Sequence, residues 1–599
     1  MSNHAEESKQ FSTNPKVEQH RAMLLDAKKK GSLATLGVFA RLSGPGWLQS
    51  ALTLGGGSLS SAMYLGVLVG FSFMWLQPLA MILGVVMLSA IAYVTLSTGR
   101  RPLRDINRHV SPVLGWGWLI ASMMANIVWS MPQFMLGMAG MQQNLFPGLF
   151  GPNGIFPPPY GQLIPAMLIL IITVTVVMLY IQGSWGVKVF EILVKCMVGA
   201  IVICFFGVVF KLTSKGVLDW GNIWAGFIPD FSLFSQPTHS IRPLIAQVAE
   251  QYRSFWSDML VSQQRDVMIS AAATAVGINM TFLLPYSMLR KGWDKEFRGL
   301  AIFDLSTGLF IPFILATGCV VIASASQFHA KPAEGFGFTD AERAGDVLQP
   351  ADNLVKPYYT LLEDRWLFQI EADGQAAESI AREKDEFRKL PVEERKAITA
   401  QLPEADRFMA AVLVKRDAFN LANTLAPLTG ENIAKYLFGF GVLAMALNAA
   451  TMLMLINGLC FCELLNRPAR GWTQRIGSLM VCVGLITPFY WKDAMMWVAM
   501  PTSVFAFCLL PIAYFAFYWL MNQRKVLGDR MPKGGKRVLW NVLMGIACMA
   551  ASIGSLWSLW LKLQWWGIGL FGMFLTLVFV VHLLRAPDQH PPAPTAENH

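Results

Sequence analysis

Between Leu54 and Ser61 an apolar stretch breaks into Leu-Gly-Gly-Gly-Ser-Leu-Ser-Ser, with no charge nearby. Gly55, Gly56, Gly57 and Ser58 offer backbone amides, backbone carbonyls and one hydroxyl, and no Cβ blocks a close approach at the glycines. Each glycine costs roughly 1 kcal/mol relative to alanine inside a helix, so three in a row predict an interruption. Unwound backbone at membrane depth is tolerated where it is buried in protein or lines a cavity. A second interruption, Ala275-Val-Gly277-Ile-Asn279-Met280-Thr281 ahead of Pro285, places Gly277, Asn279, Met280 and Thr281 in another apolar stretch. Two chemistries suit such a pair of breaks. Neutral oxygens coordinate Na⁺ or K⁺ or a Mg²⁺ that keeps its waters, and exposed helix N-termini favour a carboxylate. Gln133, Asn448 and Trp129 are further candidates, with interhelical hydrogen bonding the plain alternative for the two amides and packing for the indole. Glu191 and Lys195 stand four apart and could pair on one helix face; Asp304 and Glu463 sit near helix ends as candidate gate contacts.

The elements that must position these residues are membrane spans. Of 599 residues, 54% are hydrophobic and 14% charged, against about 25% charged in soluble domains. An all-α integral membrane protein follows, with the lipid bilayer as its surroundings. Twelve spans of about 20 residues are expected, beginning near Val38, Phe73, Leu114, Leu163, Lys188, Val267, Gly299, Tyr436, Ile476, Met496, Val538 and Trp565. Only Tyr490 to Asp493 separates the ninth from the tenth, so eleven is the alternative count. Lys and Arg collect in loops on one side, whereas Asn144 to Gln162 has neither; that asymmetry predicts cytoplasmic termini in a cell membrane, in a bacterium the inner one. The net charge of +10 reflects those loops, and nucleic acid is not an expected partner.

The expected organisation is a tail at 1–35, spans one to seven at 36–325 with a non-cytoplasmic loop at 212–266, a helical non-cytoplasmic insertion at 326–432, spans eight to twelve at 433–585 and a polar tail at 586–599. The first 30 residues are polar and lysine-bearing, without the apolar stretch of a removable signal. All eight cysteines fall in predicted spans, which points to packing rather than disulfides or zinc. Five spans separate the start of one break from the start of the other, the pattern of a five-plus-five inverted repeat with broken first and sixth helices. No phosphate loop, zinc helix or nucleophile elbow is present, so neither an enzyme nor a cofactor is expected.

The chain resembles the Nramp family of divalent metal-ion transporters, which have the LeuT-type fold. Gly44-Pro-Gly46-Trp47 is similar to the family's entry to its first span, and Gly66 and Gly70-Phe71 fall where it has Gly and Gly-Tyr. Gly186-Val-Lys188-Val-Phe-Glu191, Arg298 with Asp304, and Glu463-Leu-Leu-Asn466-Arg467 resemble its fifth, seventh and eighth spans in order. The departures fall on chemistry. The family's metal-binding Asp-Pro-Gly-Asn lies over Gly55-Gly56-Gly57-Ser58, its Met-Pro-His over Asn279-Met280-Thr281, and its third-span acidic pair near Met131 and Phe134. None of the usual metal ligands is present at those positions. The resemblance implies transport of a divalent metal, and the local residues leave open a small organic solute such as an amino or carboxylic acid. A non-transporting sensor built on the 326–432 cap is the third reading.

Overall fold

A computed structural model describes residues 15–151, 154–181, 184–373, 377–430, 433–490 and 498–584. The expected tail at 586–599, residues 1–14 and the expected tenth-span start at Met496 lie outside the described residues. A polar helix, α1 (Pro15–Lys30), precedes the first span, which is broken into α2 (Pro45–Thr53) and α3 (Gly56–Val69) at an angle of 58°. There follow α4 (Leu76–Thr98), α5 (Pro112–Ala139), α6 (Tyr160–Ile181) and α7 (Ser184–Ser214). The sixth span is broken into α8 (Arg253–Ala273) and α9 (Ile278–Arg290), and α10 (Ile311–Phe328) ends the seventh. Outside the spans, α11 (Asp352–Asp373), α12 (Ala377–Lys389), α13 (Val392–Thr399) and α14 (Glu404–Leu413) form a helical cap. The remaining long helices are α15 (Phe438–Leu464), α16 (Ala499–Met521) and α17 (Gly535–Leu584).

Among the described residues nine helices are long and apolar enough to cross a membrane, and the bent α2–α3 pair makes a tenth. The ninth span and the boundary between the eleventh and twelfth each have a form of their own. The ninth is a chain of short pieces, Gly471–Leu479, a 3₁₀ stretch Met480–Ile486 and Thr487–Tyr490. The eleventh and twelfth run on as one helical trace bent at Gln564, whose φ of 49° is left-handed.

The broken helices form the core. Every residue of α3 is buried, as is every residue of α2 except Trp47. Gly66 lets α3 approach α10 so closely that a Cβ there would lie 2.1 Å from Ser324 Oγ. The cap is fastened to α8, the first half of the sixth span. Asp406 of α14 and Arg365 of α11 form an ion pair at 2.8 Å with both side chains buried, and Trp256 of α8 donates to the same carboxylate at 2.7 Å. A buried charge is retained only with such partners.

Charged groups gather at the opposite end of the bundle. Asp304 accepts from the N–H groups of Gly44 and Gly46 at 3.0 and 2.7 Å and from the Ser43 hydroxyl, so its carboxylate caps the start of α2. Glu463 pairs with Arg101 at 2.9 Å. The expected Glu191–Lys195 pair does not form: Glu191 binds Lys291 at 3.3 Å, while Lys195 donates to the Ser43 carbonyl at 3.3 Å. Each side chain takes a partner on a neighbouring element, where it also ties the bundle together. Helix α1 lies across this same end, with Arg21 on Asp294 and Lys28 near Glu296.

Candidate substrate site

Both breaks leave helix-end groups without intrahelical partners, and neighbouring side chains take them up. Leu54 and Gly55 leave helical geometry (ψ 79° and −171°). The Ser58 hydroxyl accepts the Gly55 N–H at 3.0 Å and donates to the Gly55 carbonyl at 2.9 Å. Gln133 Oε1 of α5 accepts the Gly56 N–H at 2.7 Å. Across the bundle, the Thr53 hydroxyl reaches the carbonyls of Thr274 and Ala275 at 2.8 and 2.9 Å. The Gly277 N–H points at the Met280 sulfur, 3.4 Å away.

Between the breaks lies a cavity of about 30 Å³, lined by Leu52, Thr53, Gly55, Gly57, Ser58, Trp129, Gln133, Thr274, Gly277, Met280, Leu453 and Ser503. That is room for roughly two water-sized bodies. Every lining side chain is uncharged. No group of three or more His, Cys, Asp or Glu that could hold a metal ion occurs among the described residues.

The sequence candidates separate here. Gly55, Gly57, Ser58, Gly277, Met280, Gln133 and Trp129 line the cavity, while Gly56 contributes the N–H that holds Gln133. Asn279 and Thr281 are not in the lining. Helix α9 starts at Ile278, so residues flanking Met280 turn about 100° away from it. Asn279 donates to Asn126 at 3.2 Å and Thr281 accepts from Trp118 at 2.8 Å. Asn448 is also outside the lining; on α15, Ala449 faces Gly55 and Leu453 reaches the cavity. Sequence reasoning misses Thr53, Thr274 and Ser503. The first two flank the breaks directly, and a hydroxyl beside an interruption is the signal that could have found them.

Two broken spans meeting at a small neutral cavity are the architecture found in LeuT-type secondary transporters. The model of the family "Natural resistance-associated macrophage protein-like" matches residues 46–355 and 405–558, and the chain belongs to that family. Among solved structures it is similar to a point mutant of the Eremococcus coleocola manganese transporter, at 11% identity and a TM-score of 0.58, covering 92% of this chain and 95% of that one. The same transporter in complex with an aromatic bis-isothiourea substituted compound gives 12% identity, a TM-score of 0.57, and coverage of 92% and 96%. No curated protein matches.

Proposed function

We propose that this chain carries a divalent metal cation, accepted with part of its water shell, and that its basic end faces the cytoplasm. The carrying observation is the cavity of about 30 Å³ between the breaks, lined by neutral groups alone. Removing even one charge from water costs several kcal/mol unless it is offset, and no carboxylate lines the cavity to do so. A cation that sheds water reluctantly, as Mg²⁺ does, suits hydroxyl, amide and carbonyl oxygens best. Met280 places one thioether at the wall, a soft donor that alone does not make a tight Mn²⁺ or Fe²⁺ site. The organic-solute reading loses support from the same geometry. Gln133 and Ser58 already hold the amides of Gly56 and Gly55 that a carboxylate would need.

Purified protein in liposomes tests the proposal. Flux of Mg²⁺ and Mn²⁺ is expected to saturate in the high-micromolar to millimolar range, with no uptake of radiolabelled amino acids. Sub-micromolar Mn²⁺ binding, or saturable amino-acid uptake without cation flux, overturns it.

A further inference from the structure

The cavity does not exhaust the buried polar groups near the breaks. Three amide side chains lie beside it, each fully buried: Gln49 of α2, Asn126 of α5 and Asn279 of α9. Gln49 precedes Thr53 by one turn and Asn126 precedes Trp129 by one turn, both toward the basic end of the bundle. Each amide makes one hydrogen bond and keeps a buried group without a partner. Asn279 donates to Asn126 at 3.2 Å, leaving Asn279 Oδ1 and Asn126 Nδ2 unmatched. Gln49 donates to the Met280 carbonyl at 3.3 Å, leaving Gln49 Oε1 unmatched. Turning over both members of the asparagine pair exchanges which atoms are orphaned but does not remove the orphans.

Position gives these orphans meaning. A Cβ built on Gly277 would lie 2.7 Å from Asn279 Oδ1 and 2.2 Å from the Trp129 ring. Gly277 and Trp129 both line the cavity, so the unmatched oxygen stands directly behind its wall. Only a residue without a Cβ keeps that wall so thin. Buried polar atoms in native proteins are nearly always satisfied, by protein or by ordered water, and apolar side chains of similar shape would serve packing at lower cost. Neutral carbonyl oxygens are also what replaces the water of a moving cation.

We propose that Asn126 and Asn279, with Gln49 across the first turn of α9, form an inner amide station that receives the transported cation and its water after the cavity, with Gly277 and Trp129 as the partition. This rests on the divalent-cation reading above. The station passes the cation on because its ligands are neutral and few.

The test uses full-length protein in liposomes, with Mg²⁺ and Mn²⁺ as the probes, calorimetric binding of the same ions, and thermal melting. N126L/N279L is expected to lower initial flux at least tenfold, to leave the binding constant within about twofold, and to melt at or above the wild-type temperature. Flux within twofold of wild type overturns the station, and so does a flux loss matched by a fall in melting temperature, which marks a purely structural pair. Should the leucine pair misassemble, N126S/N279S against N126A/N279A decides. The serine pair keeps an oxygen and is expected to retain several-fold more flux; equal fluxes overturn the proposal. Wild-type protein that moves neither ion overturns the cation reading and the station together, whereas normal wild-type flux with indifferent variants overturns the station alone.

Discussion

The carboxylate of Asp304 accepts the backbone N–H of Gly46 across 2.7 Å, joining the seventh span to the first residues of α2. With the Gly44 N–H and the Ser43 hydroxyl it fastens the start of α2 to the seventh span. Hydrogen bonds to a charged acceptor contribute about 1.5–3 kcal/mol each. D304N turns an N–H toward donors and should cost ~2 kcal/mol of that attachment, a shift of about thirtyfold. Hydrogen exchange of the amides in Pro45–Thr53 should speed up correspondingly. Unchanged protection of that segment would show that Asp304 is not the fastening.

Gly55 supports a second prediction. A Cβ there would lie 2.7 Å from the Ala449 Cβ and 3.0 Å from Gln133 Oε1. G55A should therefore destabilise by about 1–3 kcal/mol through overpacking and reduce cation flux. G55A/A449G removes the harder contact and should restore much of both. Melting temperature and liposome flux check this; a G55A protein with wild-type values refutes the close-approach argument.

Much of this site was legible because glycine runs in apolar stretches have few explanations. The break at Gly55–Gly57 follows from backbone cost, whereas Gly277 reads as a break only beside Asn279, Thr281 and Pro285. What was not legible was rotation about α9. One residue of register decides whether Met280 or its neighbours face the cavity, and that register depends on Ile278 being the first helical residue. Pairing of charges was hidden for a related reason. Glu191 and Lys195 satisfy the spacing of an intrahelical pair, yet Lys291 and Ser43 approach from elements distant in sequence. The ninth span reads as an ordinary apolar run, and only its contacts show why it need not be one continuous helix: a Cβ at Gly484 would meet Ser130 Oγ at 2.1 Å.

The cap offers a contrast between two variants. W256F removes one hydrogen bond to Asp406 and should cost about 1–3 kcal/mol. D406A strands the buried Arg365 guanidinium and should cost about 3–5 kcal/mol. Denaturant unfolding should rank D406A well below W256F. The reverse order would mean that the indole, not the ion pair, anchors the cap.

His329 follows α10 and sits half-buried between the Val67 carbonyl, 3.0 Å from Nδ1, and the Ser240 hydroxyl at Nε2. A carbonyl only accepts, so the neutral ring donates from Nδ1. Burial holds the imidazole pKa below its ordinary 6.5, with the Val67 bond opposing. Below that pH the unfolded chain binds a proton that the folded one resists. Stability should fall with decreasing pH below about 6.5 by up to about 1.4 kcal/mol per unit, until the folded ring itself titrates. Above it the group contributes no slope. H329Q should flatten the acid limb of a melting-temperature profile; an unchanged limb would assign it to other groups.

The neutral lining of the cavity has an electrical consequence. A carrier whose empty site bears no charge returns without moving any, while its loaded form moves the full charge of its cargo. For a divalent ion a membrane potential of 100 mV then supplies about 4.6 kcal/mol per cycle, a driving ratio of roughly three orders of magnitude. Under the proposed divalent cargo, the membrane potential itself favours accumulation.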